Sequence, residues 1–316
     1  MKFSKLAVFL LIVAFAAGCA KKGNLPNTAQ DIAFGVLPVM QALPLFIAQE
    51  KGYYDQSVIN VKVVPFNTAA EKDIAMSTGN IVGQFADLFT PVVIEGNGRN
   101  ITIVATNYNT TFDRRMFAVL ASPKSSFVAV SNLAGIPIGL SSNTVLDYVT
   151  ETLLVRGGLP IDQVERVEVK NIGMRFQMLM SGQIQAATLP EPLVTAAVAQ
   201  GATVIVDDAG FAASQTVLLF TDEFAQQHPK EIKAFLVAVQ KAQNFINEHP
   251  DSTRTYMVKY VRLPDPLKDK YPVPRFPPLT VPGEKEMTEA VDWLHQKGAI
   301  PKILTYKDLV DGSFLP

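Results

Sequence analysis

The chain has 316 residues, 48% of them hydrophobic, with 28 basic and 29 acidic side chains. That balance leaves no basic surplus to draw it to nucleic acid, and the apolar content excludes a disordered chain. Its single cysteine, Cys19, excludes disulfides, a thiolate zinc site and a cysteine nucleophile elsewhere.

Residues 1–18 read as an export signal. Lys2 and Lys5 make a basic start, and Leu6–Ala17 is apolar throughout. The run is shorter than the roughly 20 residues a bilayer span needs. Ala16-Ala17-Gly18-Cys19 then places small residues before a cut site. The polar, turn-rich residues 19–30 read as a tether.

From Asp31 onward, short β-rich runs alternate with helical stretches. Strands are expected over 32–37, 58–65, 81–86 and 101–106, and helices over 43–53, 69–77 and 91–95. Another strand is expected at 117–121. The alternation then restarts with strands at 136–140, 164–169, 185–189 and 204–206 and helices at 144–156, 175–180 and 191–200. A strand at 217–220 precedes a helical region, with helices over 230–247, 252–260 and 284–297. Seven prolines between Leu263 and Pro282 exclude regular structure there. This is an α/β chain with two mixed, mostly parallel sheets flanked by helices. Residues 31–120 form the expected first lobe, completed by 221–316, and 121–220 the second. Crossings are expected near Ala121–Lys124 and Thr216–Phe220. Two crossings predict a hinge that closes on ligand.

The catalytic inventory is thin. His228, His249 and His295 all fall in the helical C-terminal third, away from the strand ends where α/β sites form. There is no GxSxG elbow, phosphate loop or dinucleotide fingerprint. No metal site and no cofactor is expected. What remains is a set of polar residues at the carboxyl ends of expected strands: Pro38 and Gln41, Asp87, Tyr108, Ser142, Thr144 and Glu191. The Ser141–Thr144 turn is either an anion site at a helix N-terminus or a plain helix cap. Asp87 and Glu191 are either ligand-binding acids or first-turn helix acids. Arg114 and Arg115 sit side by side on an extended segment, which predicts one on each face. Arg175 opens a helix, where a cation is disfavoured, and so is expected to have a specific partner.

Several stretches carry a family resemblance: QALPLFIAQEKGYY (41–54), STGNIVGQFADLFTPVVI (77–94), SNLAGIPIGLSSNTVLDYVTETLLVRGGL (131–159), LMSGQIQAATLPEPLVTAAVAQGA (179–202) and EAVDWLHQKGAI (289–300). In this order they resemble the NMT1/THI5-like solute-binding proteins of ABC importers for nitrate, sulfonates, taurine and thiamine precursors. The resemblance implies a two-lobed, type II-like periplasmic-binding-protein fold with a ligand cleft between lobes. It implies a small-molecule solute and ABC permease subunits as partners. It makes the 38–41 loop, Asp87, Ser142, Thr144 and Glu191 cleft-facing. The Gly18-Cys19 junction is similar to a lipobox, with Ala16 where Leu is usual. That implies a lipid on Cys19 and an extracytoplasmic chain anchored to the membrane. The cysteine-rich motif of the family's pyrimidine synthases is absent, so an enzymatic role is not carried over.

The expected function is therefore capture of a small organic nutrient for an ABC permease. Two acids with hydroxyls favour a nitrogen-bearing solute. A sulfonate- or nitrate-like anion is the alternative if Arg114, Arg115 or Arg175 faces inward. An extracytoplasmic enzyme or ligand sensor on the same fold is the reading of another class.

Overall fold

The computed structural model describes residues 29–110, 114–211 and 214–316. The expected signal, Cys19 and the tether up to residue 28 lie outside them. The described chain begins with β1 (Gln30–Val36), α1 (Leu43–Glu50), β2 (Ile59–Pro65), α2 (Ala69–Ser77), β3 (Gly83–Asp87), α3 (Phe89–Gly96) and β4 (Ile101–Tyr108). Next come β5 (Phe117–Ala121), β6 (Ile138–Leu140), α4 (Val145–Arg156), β7 (Arg166–Glu168), α5 (Ile172–Ser181), β8 (Ala186–Pro190), α6 (Leu193–Ala199) and β9 (Thr203–Asp207). The remainder is β10 (Thr216–Thr221), α7 (Asp222–Gln227), α8 (Pro229–Glu248), α9 (Pro250–Tyr260) and α10 (Glu284–Gln296).

Local chemistry explains the boundaries that matter for the cleft. Thr68, Thr144 and Asn171 cap α2, α4 and α5 with side-chain oxygens that accept N–H groups of the first turn. Gly182 ends α5 at a positive φ of 74°, which an L side chain resists.

The strands form two five-stranded sheets, ordered β2-β1-β3-β10-β4 and β7-β6-β8-β5-β9. In the first sheet β1 is parallel to β2 and β3, while β10 runs antiparallel between β3 and β4. In the second, β6 is parallel to β7 and β8, while β5 runs antiparallel between β8 and β9. Each sheet thus has the same order, and its single antiparallel strand is the first one after a crossing.

This corrects the expected lobe boundaries. The sequence reading put residues 117–120 in the first lobe and 216–220 in the second, and the sheets place both strands the other way. The chain changes sheets between β4 and β5 and again between β9 and β10, not at 121–124 and 216–220. The physical reason is that β5 is buried on both faces, as is β10 up to its last residue. A continuous apolar run carries no periodicity that says which sheet it joins.

The first lobe packs around Phe34, Phe220 and Phe235, whose ring centroids lie 4.8–5.4 Å apart. Helix α8 supplies Phe235, so the C-terminal third completes this core. The second sheet has a separate apolar cluster on each face, one around Leu120, Leu179 and Leu189 and the other around Val119, Ile138 and Leu154. Asp208 ties the crossings together. Its buried carboxylate accepts the N–H groups of Met116 and Phe117, both at 2.8 Å, and the Ser214 hydroxyl at 2.6 Å. Burial pushes its pKa up to about 6. The Pro-rich loop is irregular, as expected, apart from one 3-10 turn at Asp265–Leu267 and a bridge from Thr280 to Thr106.

Candidate ligand-binding cleft

Three cavities follow one another between the lobes, each sharing lining residues with the next. The outer one, about 360 Å³, is lined by Met40, Gln41 and Tyr108 from the first lobe and by Glu191, Thr195 and Asp207 from the second. Arg114, Arg115 and Met116 of the first crossing and Tyr271, Pro272 and Pro274 of the Pro-rich loop complete it. Gln41 and Met116 also line an inner cavity of about 90 Å³, which contains Lys72, Asp87, Val145 and Thr216. Ala69 and Thr90 connect the inner cavity to a third, about 220 Å³, lined by Ser141–Thr144, Glu168 and Lys170. All three lie beyond the carboxyl ends of parallel strands, where α/β sheets hold ligands.

The structure thus distributes the expected site residues over the cleft. Gln41, Tyr108 and Glu191 share the outer cavity, Asp87 lies in the inner one, and Ser142 and Thr144 line the third. Pro38 lines none of them; its carbonyl accepts the Arg262 N–H at 3.1 Å.

Charge is arranged differently from the sequence expectation. Arg114 and Arg115 line the same cavity rather than opposite faces, because the crossing becomes a strand only at Phe117. Arg115 donates to Glu191 at 2.8 Å and to Asp207 at 3.4 Å. Glu191 also accepts the Thr195 N–H at 3.2 Å and its hydroxyl at 2.8 Å. Both acids are therefore engaged by the protein. Arg114 donates to the neutral carbonyl of Val273 at 3.3 Å, and no carboxylate among the described residues pairs with it. Tyr108 packs edge-on against Phe276, 5.2 Å between ring centroids.

The N-terminus of α4, an expected anion site, is already occupied by protein groups. Glu168 accepts the Ser142 N–H at 2.9 Å and its hydroxyl at 2.6 Å. Asp147 accepts the Asn143 N–H at 3.2 Å, and Thr144 caps Leu146. Asp87 reaches across from the first lobe to the Val145 N–H at 3.5 Å. Its other oxygen accepts the N–H groups of Phe89 and Thr90 at 2.9 and 2.7 Å. Burial pushes the Asp87 carboxyl up, against Thr90, Val145 and the Lys72 ammonium, which pull it down.

Two residues of the inner cavity escaped the sequence reading. Lys72 is 1% exposed and donates to Gln84 at 2.8 Å and Asp73 at 3.1 Å. Burial pulls its pKa down. A lysine beside an aspartate on a short helix reads as solvent-facing, so no signal marked it. Thr216 Oγ1 is buried and has no hydrogen-bond partner among the described residues. Arg175, for which a specific partner is expected, is fully buried in the second lobe. It donates to the carbonyls of Val169 and Thr188 and to Ser141 Oγ, and burial brings its pKa down to about 10. Among the described residues no group of three His, Cys, Asp or Glu is placed to hold a metal, and no helix is long and apolar enough to cross a membrane.

A sequence model of the NMT1/THI5-like family matches residues 40–253. The chain belongs to this family. It is 23% identical over 285 residues to a Haemophilus influenzae protein named for thiamine biosynthesis, covering 84% of this chain and 85% of that one. It is 23% identical over 325 residues to a Bacillus subtilis protein named for aliphatic-sulfonate binding, covering 98% and 95%. Among solved structures, it resembles the alkanesulfonate-binding protein SsuA of Xanthomonas axonopodis pv. citri bound to MOPS. The TM-score is 0.75 at 16% identity, with 89% of this chain and 98% of that one covered. The nitrate-binding protein NrtA of Synechocystis PCC 6803 gives 0.70 at 14% identity, covering 91% and 87%. These likenesses establish the two-lobed periplasmic-binding-protein fold of the NMT1/THI5-like chain.

Proposed function

We propose that this family member is a non-enzymatic, extracytoplasmic binding protein. It captures a small organic solute bearing an anionic group and passes it to an ABC permease. The observation that carries this reading is the outer cavity, where both lobes and a crossing converge on Arg114, which among the described residues is paired with the neutral Val273 carbonyl and no carboxylate. The preference for a nitrogen-bearing solute depends on Asp87 and Glu191 being free to accept from it, but Glu191 is engaged by Arg115 and Thr195, and Asp87 by the N–H groups of Phe89, Thr90 and Val145. The anion reading is supported by Arg114, which lines the cavity beside Arg115, itself paired with Glu191 and Asp207. Met40, Met116 and Tyr271 supply apolar wall for the rest of the solute, and Thr216 Oγ1 supplies an unmatched hydroxyl further in.

Thermal unfolding tests this. A bound solute stabilises by RT ln(1 + [L]/Kd), about 2.7 kcal/mol at a hundredfold excess over Kd. Short alkanesulfonates are expected to raise the melting temperature, and aminopyrimidines are not. Arg114→Ala should abolish the rise while leaving the unliganded melting temperature in place. A rise retained in Arg114→Ala, or one given by aminopyrimidines alone, overturns the anionic reading.

The Gly18-Cys19 junction adds a lipid anchor to the proposal. Cys19→Ala is expected to release the chain from the membrane fraction, and a variant as firmly bound as the parent argues against lipidation.

A further inference from the structure

Helix α4 turns residues 145, 148 and 151, spaced three apart on one helical face, toward the first lobe. Val145 meets Asp87. The Tyr148 ring lies 4.8 Å from that of Phe89 and 5.5 Å, edge-on, from that of Trp293. Glu151 accepts the Trp293 indole N–H at 2.9 Å and is paired with the Lys297 ammonium. Both donors belong to the C-terminal end of α10, whereas Arg166 holds Glu151 from within its own lobe. Lys297 also lies 5.2 Å from the Trp293 ring centroid. Burial alone would push the Glu151 carboxyl up, but donation from Lys297 and Trp293 brings it below the ordinary carboxylate value. Glu151, Tyr148, Trp293 and Lys297 line none of the three cleft cavities.

We propose that Glu151, Trp293 and Lys297 form a latch that holds the two lobes together and so sets solute affinity without touching the solute. They are positioning residues. The proposal rests on reading the cleft between the lobes as the binding site. Three features argue for a latch. The charged partners come from different lobes, so separating α4 from α10 leaves Trp293 and Lys297 without their acceptor. The carboxylate remains paired with Arg166 in either arrangement, so opening does not strand a naked charge. The aromatic contact between Tyr148, Phe89 and Trp293 sits beside the ion pair and adds a second point of contact between α4 and the first lobe. This balance makes the contact breakable and remakeable, as a closure device requires.

The test needs no solute. In a chain carrying Cys19→Ser, spin labels are placed at Lys62→Cys in the first lobe and Gln163→Cys in the second, both exposed positions. Pulsed dipolar spectroscopy then reads the distance between lobes. The parent is expected to show mainly the short distance of this structure. Glu151→Gln and the surface variant Lys297→Met should shift the population toward longer distances, while Lys297→Arg keeps the parent distribution. Where the closed fraction falls to about a tenth, apparent solute affinity falls roughly tenfold. Unchanged distributions in both Glu151→Gln and Lys297→Met overturn the latch, as does a parent population already at long distance. Failure of the solute reading looks different. No solute then shifts the parent's melting temperature, while the latch variants still lengthen the distance.

Discussion

Asp208 shows how one side chain couples the crossings to pH. Its carboxyl stands at about 6 in the folded chain, raised by burial from an ordinary 3.8. The fold therefore prefers the protonated acid. The contribution is fully present below pH 3.8 and is lost as pH rises through about 6. A shift of two units corresponds to about 3 kcal/mol. Denaturant titrations at pH 4, 5, 6 and 7 are expected to show this decline in the parent. In Asp208→Asn it should be absent, because the amide does not titrate while its oxygen still accepts the Met116 and Phe117 N–H groups, so the variant should match or exceed the parent at pH 7. A parallel pH dependence in the two proteins would remove Asp208 as its source. The residue scale is also where the sequence was least legible. The residue types at the strand ends were readable, but their partners were not. Glu191 looked like a free acid because nothing in the local sequence links it to Arg115, 76 positions away.

At the scale of elements much more was readable. The helix over 69–77 and the strand over 117–121 emerge at the expected bounds, because caps and Pro or Gly punctuation are local. The sheet each strand joins is set by long-range pairing, and there the reading misplaced β5 and β10. The Ser141–Thr144 turn shows the same divide. Its capping chemistry was legible, whereas the Glu168 and Asp87 carboxylates that fill it come from other elements. Ser142→Ala is accordingly expected to leave the solute-induced melting shift intact. Thr144→Ala should cost about 1 kcal/mol with and without solute, as loss of an N-cap does. A lost solute shift in Ser142→Ala would put the anion at α4 after all. Gly83, in the middle of the first sheet, is the sharper element-scale constraint. A Cβ there would stand 2.6 Å from the Phe220 ring and 2.9 Å from the Leu219 carbonyl oxygen. Neither can yield cheaply, so Gly83→Ala should destabilise by roughly 1–3 kcal/mol, read as a lower denaturation midpoint.

For the molecule as a whole, the placement of β10 governs more than the boundary between lobes. The second sheet is built from one continuous stretch, β5 to β9. The first is not: β4 pairs within the sheet only with β10, and its isolated bridges reach residues 280 and 310. A chain made from its N-terminus outward therefore finishes β4 long before any strand exists to receive it. The intervening lobe can assemble on its own while β4 waits with both edges open. Pairing so distant in sequence is slow to form, and an unpaired apolar edge invites association with other chains. Pulse-labelled hydrogen exchange during refolding should protect Val119 and Ala187 before Ile103 and Ala105. The lobe split in two by the other is thus the one exposed to aggregation during biogenesis, and a holdase chaperone would find its client surface along β4.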